Sequence, residues 1–102
     1  MADVQVTDNT EAHRFEVNLE GDVAFAEYSL VDHGMILPHT LVPEAFEGKG
    51  VASALAKTAL GYARERGLKV IPTCPFMSGY IQKHPEWHDI VHDSFKAKLG
   101  IA

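Results

Sequence analysis

The chain has 102 residues, a formal net charge of −5 and a single cysteine. A chain of this length folds around one core, burying roughly two-thirds of its unfolded surface, and 46% hydrophobic with 23% charged residues is ordinary for a soluble globular protein. Several classes are excluded. No apolar run nears the ~18 residues of a membrane span, the acidic balance opposes electrostatic recruitment to nucleic acid, and the polar start MADVQVTDNTEA lacks the basic and apolar regions of a signal peptide. Cys74 has no partner for an internal disulfide, so a reducing cytoplasm is the expected compartment.

Residues 1–11 are polar and aperiodic, which predicts a mobile tail. From Arg14, the residues Phe15, Val17 and Leu19 alternate with Glu16, Asn18 and Glu20, a half-buried strand ended by Gly21-Asp22. Val23 to Val31 continues as a second strand across a tight hairpin. Asp32-His33-Gly34 marks the next turn, and Met35 to Val42 reads as a third strand. Pro38 within it lacks a ladder donor and belongs at an edge or a bulge.

The period then changes. Val51, Leu55, Ala59 and Ala63 lie four apart with Leu60 beside them, predicting an amphipathic helix over residues 50–66 that Gly67 terminates. Leu68 to Pro72 is a short buried strand. A second helix is expected over residues 76–84, and a third, opened by Pro85, from Glu86 to about Leu99. The order β-β-β-α-β-α gives one α/β (α+β) domain spanning residues 1–102. Its sheet is mostly antiparallel, its central strand–helix–strand unit makes the third and fourth predicted strands parallel, and short helices end the chain.

Between the third strand and the long helix stands Val42-Pro43-Glu44-Ala45-Phe46-Glu47-Gly48-Lys49-Gly50-Val51-Ala52-Ser53. A helix N-terminus carries unpaired N–H groups and a partial positive charge, and glycines before it let an anion approach the backbone. Lys49 adds a charge. Spacing alone leaves two readings open: a phosphate or pyrophosphate cradle, or a loop whose glycines supply only turn geometry. A P-loop is absent, and the dinucleotide pattern fails because Ser53 stands where its last glycine belongs.

This segment resembles the coenzyme A pyrophosphate loop of the GNAT N-acetyltransferase superfamily, [QR]-x-x-G-x-[GA]. Gly50 and Ala52 match, and Glu47 departs from the first position. His39-Thr40, Val42-Pro43, Ile71-Pro72, Cys74-Pro75-Phe76, Tyr80-Ile81 and His84-Pro85 follow in the order of a family of minimal GNAT-like proteins of about 100 residues. The similarity runs from Phe15 to Val91. It implies a GNAT-like fold and N-acetyl transfer from acetyl-CoA to an amine. The loop Glu47, Gly48, Lys49, Gly50, Val51, Ala52 and Ser53 would hold the pyrophosphate, and main-chain groups around Leu41 and Val42 would pair with the pantetheine arm. A coenzyme A-binding or protein-interaction domain without catalysis is the alternative.

The transfer needs a polarised carbonyl, a neutral amine and a stabilised thiolate. Cys74 precedes Pro75 near a helix start, which suits an acetyl-cysteine intermediate, a lining residue beside the thioester, or simply a small buried hydrophobe. His39 shares a face with Leu37 and Leu41 by alternation, and reads as a base for the amine or for Cys74, or as a core-edge histidine. The resemblance brings Tyr80 near the tyrosine that protonates the leaving thiolate in larger relatives, although Thr73 and Phe76 replace that motif's Asn and Ala. Lys83 is either a phosphate contact or a solvated helix residue. His84, His88 and His92 recur every four residues, but Pro85 interrupts them and no further donor completes a metal shell, so no metal is expected.

Overall fold

The alternation that begins at Phe15 builds a sheet with one apolar face, and the helices lie on that face. A computed structural model of the chain describes residues 5–19, 21–46 and 50–101. Five strands, β1 (Thr7–Asn9), β2 (Arg14–Leu19), β3 (Asp22–Val31), β4 (Gly34–Leu41) and β5 (Lys69–Ile71), lie in the order β1-β2-β3-β4-β5. The first three pairings are antiparallel and β4–β5 is parallel, as the strand–helix–strand unit requires. Three α-helices follow: α1 (Val51–Glu65), α2 (Pro75–Lys83) and α3 (Asp93–Leu99). Short 3-10 turns occupy Glu44–Phe46 and Pro85–Ile90.

Phe15, Val17, Ala24, Ala26, Tyr28, Met35 and Leu37 form the inner face of the sheet and are nearly inaccessible to solvent. They meet Val51, Leu55, Ala56, Ala59, Leu60 and Ala63 of α1. The three alanines leave no bulk between helix and sheet, so the axis approaches closely. Each buried leucine contributes about 2 kcal/mol of apolar transfer. After β5 the chain returns through α2 to Val91, which bridges Val70 in parallel and whose neighbour His92 donates its N–H to the Val70 carbonyl at 2.9 Å. Two successive right-handed crossovers in one direction put α1 and α2 on the same face. Arg64 of α1 reaches the 3-10 turn that follows α2, with its guanidinium 4.6 Å from the Trp87 ring and an ion pair to Asp89.

Three expectations are corrected. Residues 7–9 belong to the sheet rather than to a mobile tail, because Asp8 faces inward and accepts the Tyr28 hydroxyl at 2.7 Å. The helix expected from Glu86 to Leu99 is two pieces, since Val91 extends to bridge β5 and His92 then caps α3 by accepting the Ser94 N–H.

The third correction concerns β4. Glu27 pairs with His39 but Ser29 pairs with Ile36, so Leu37 and Pro38 together oppose Tyr28. This is a β-bulge, and the extra residue reverses the alternation beyond it. His39 therefore leaves the face of Leu37 and points outward, its ring 5.8 Å from that of Phe25. Leu41 goes with it and is 47% exposed.

Leu55 is fully buried at the centre of α1. Leu55→Ala is expected to lower the unfolding free energy by about 3 kcal/mol with an unchanged denaturant slope. Urea titration measures it, and a loss under about 1 kcal/mol would contradict the packing described.

Candidate active site

The strands β4 and β5 pair only over Gly34–Ile36 and Lys69–Ile71, then separate. Where they part, the Cys74 N–H donates to the Leu37 carbonyl at 3.0 Å, and the Thr73 hydroxyl lies 3.4 Å from the same oxygen. Beyond this closure β4 runs on to Leu41, and among the described residues its strand neighbour there is β3 alone. Its other edge faces a gap.

The register decides which residues own that edge. The Tyr28 N–H donates to His13, on the β2 side, so the even-numbered residues of β3 turn their backbone groups away from β4. Thr40 pairs with Ala26, a position of that kind, and its own N–H and C=O consequently point into the gap. Leu41, paired with Phe25, points its backbone groups toward β3. Thr40, with Val42 next on its parity, lines the gap in place of Leu41. Pro38 was the sequence signal for the bulge that makes this so.

At the end of the gap stands the start of α1. Gly50 adopts φ 73° and ψ 14°, a left-handed conformation that any side chain would strain. Its carbonyl accepts the Ala54 N–H at 3.0 Å, no side chain caps the helix, and no acidic residue stands in the first turn. Among the described residues the N–H groups of Val51, Ala52 and Ser53 therefore meet no capping side chain at the positive end of a 15-residue helix, and its first turn holds no carboxylate. Glu47, Gly48 and Lys49 lie outside the described residues.

Cys74 is the N-cap residue of α2, buried, with Pro75 at the first helical position and its carbonyl accepting both the N–H and the hydroxyl of Ser78. Its thiol lies in the core, whereas His39 is exposed on the opposite face of the sheet. The fold does not bring this pair together. Tyr80 and Lys83 do share a hollow of about 290 Å³ on α2, lined also by Pro75, Phe76, Gly79 and His84. The Tyr80 ring stacks on His84 at 4.0 Å, but its hydroxyl is inaccessible and, like the buried Trp87 indole nitrogen, makes no hydrogen bond of normal geometry among the described residues, although the Trp87 side chain lies close enough to favour its phenolate. Burial, helped by the Glu86 carboxylate and opposed by Trp87, pushes the Tyr80 pKa up. A larger, open hollow of about 420 Å³ lies along the far half of α1 between Asp8 and Arg66, away from the gap.

The three spaced histidines serve separate local ends. His84 stacks on Tyr80, His88 Nε2 donates to the Ile81 carbonyl at 2.8 Å, and His92 caps α3.

The family described as GCN5-related N-acetyl-transferase matches residues 14–90. Protein NATD1 of Gallus gallus is 36% identical over 85 residues, covering 80% of this chain and 77% of that protein. Its Mus musculus counterpart is 35% identical over the same length, with the same coverage. A GCN5-like putative N-acetyltransferase from Staphylococcus aureus, solved by NMR, superposes with a TM-score of 0.71 at 26% identity, covering 90% of this chain and 91% of that one.

A tyrosine whose pKa is raised on folding stabilises fully below the unfolded value near 10, and that contribution is lost as pH climbs toward the folded value. Tyr80→Phe removes an unpartnered hydroxyl, so stability at pH 7 is expected to hold or to rise by up to about 1 kcal/mol. The decline of stability above pH 10 should shrink. Thermal melts across pH 7–11 measure both, and a clear loss at pH 7 would contradict this environment.

Proposed function

Because the chain belongs to the GCN5-related N-acetyltransferase family, we propose that it binds acetyl-CoA along the β4–β5 gap and passes the acetyl group to an amine. The observation that carries this reading is the pairing of an uncapped helix N-terminus at Gly50 with a strand edge left open beside Cys74. In the proposal the pyrophosphate lies against the N–H groups of Val51, Ala52 and Ser53, the loop Glu47-Gly48-Lys49 adding to the cradle. The pantetheine arm runs as an extra strand along Thr40 and Val42, and Lys83 meets a coenzyme phosphate. Tyr80 and Phe76 wall the site with their rings, since the Tyr80 hydroxyl is closed off from a thiolate.

The chemistry follows from those positions. A backbone N–H on the gap edge of β4 polarises the thioester carbonyl, and the neutral amine nitrogen attacks it. The C–N bond forms, the C–S bond breaks, and the departing thiolate is matched by the proton released from the amine. Direct attack is favoured over an acetyl-cysteine, because the Cys74 thiol is buried and His39 is on the other face. Cys74 then serves as a compact wall at the closed end of the gap.

Acetyl-CoA at about 100 times its Kd should stabilise the protein by ~2.7 kcal/mol. Gly50→Val should abolish that gain, because a β-branched residue at positive φ displaces the cradle. Differential scanning fluorimetry reads both, and an unshifted wild-type melt would sink the proposal. Intact mass after incubation with acetyl-CoA separates the routes: Cys74→Ala should keep turnover and wild type should carry no acetyl adduct. An adduct that vanishes in the variant, together with turnover, would instead establish the covalent path.

A further inference from the structure

Resting on the acetyltransferase reading, we infer that the acceptor is a lysine side chain on an extended protein segment, received on the bare face of the sheet with Glu27 binding its ammonium group. Both crossover helices lie on the inner face, and among the described residues no element covers the outer face of β2–β4. Phe25 and Glu27 are half-buried there, and His39 and Leu41 are exposed. An extended segment therefore has direct access to the strand that borders the gap.

Glu27 is set apart by what its neighbours do. Its cross-strand partners are Arg14 on β2 and His39 on β4. Arg14 would neutralise it, but that guanidinium is committed to Glu16 and lies 4.5 Å from the Phe25 ring centroid. Asn9 Nδ2 also donates to Glu16, at 3.1 Å. Among the described residues Glu27 has no ion-pair partner. A half-buried carboxylate with a free coordination side, directly opposite an imidazole, fits a primary ammonium. Directly opposed side chains start about 5 Å apart at Cβ, room for one nitrogen between them. Leu41 gives the apolar stem of a lysine a bed on the same face. The chain's net charge of −5 draws cationic segments toward it.

The bulge ties this pocket to the reaction. It turns His39 outward while its neighbour Thr40 faces the gap, so the amine and the thioester approach one stretch of β4 from different sides. The ammonium yields one proton to the His39 imidazole. The neutral nitrogen then attacks the acetyl carbon, the C–S bond breaks, and the second amine proton offsets the leaving thiolate. Glu27 binds and orients the cation, and the bulge, which reads as an irregularity of the strand, is what makes the two sites adjoin.

The test uses ¹⁵N-labelled protein saturated with coenzyme A and titrated with a short Gly/Ser-flanked lysine peptide. A norleucine peptide of the same length is the control. Coenzyme A shifts at the amides of residues 50–54 report the donor site separately, and their absence would overturn the acetyltransferase reading and this inference with it. The inference predicts saturable lysine-dependent shifts at Phe25, Glu27, His39 and Leu41, none with norleucine, and at least about ten-fold weaker binding in Glu27→Gln with the coenzyme A shifts unchanged. Lysine shifts absent, confined to the helical face, or undiminished in Glu27→Gln would overturn the inference while leaving the donor site standing.

Discussion

Leu37 and Pro38 stand together against Tyr28, and this one extra residue in β4 governs where everything else in the site can be. Carried on in its upstream register, β4 would set Pro38 opposite Glu27, whose backbone groups face β4, and proline has no N–H to give the Glu27 carbonyl. The bulge absorbs that defect. It also coincides with the point where β5 departs, closed by the bonds from the Cys74 N–H and the Thr73 hydroxyl to the Leu37 carbonyl. Upstream, β4 is a central strand with neighbours on both sides. Downstream, it is an edge strand beside a gap, with the faces of its residues exchanged.

The second constraint is electrostatic. α1 begins on a glycine in a left-handed conformation, with neither a capping side chain nor a first-turn carboxylate. Natural helices ordinarily satisfy those N–H groups from their own chain, which is worth about 1 kcal/mol. Here, among the described residues, no side chain supplies it. The apolar stripe of α1 against Phe15, Val17 and the inner face of β3 holds that helix end in place, so the packing and the uncapped N–H groups are consequences of the same helix.

Periodicity made the fold largely legible: the hairpin, the long helix, its glycine terminator and the parallel return strand all follow from apolar spacing and turn residues. The misreadings have one physical character, dependence on partners distant in sequence. Thr7–Asn9 has no apolar pattern of its own and is a strand only because β2 offers an edge and Tyr28 a donor. The last predicted helix broke because Val91 found Val70. His39 was assigned to the wrong face because alternation was carried through Pro38, although that proline was itself the mark of a bulge. The glycine start of α1 was visible at Gly50. The gap edge at Thr40 and the free carboxylate at Glu27 were not, since both are set by register between strands.

In the proposed complex the coenzyme's pantetheine arm pairs with the β4 edge beyond the bulge. Amide hydrogen exchange with and without saturating coenzyme A tests it most directly. Exchange at the Thr40 N–H is expected to slow markedly when the coenzyme binds, while the Leu41 N–H, turned toward β3, changes little. Binding without protection at Thr40, or with protection at Leu41 instead, would contradict the account.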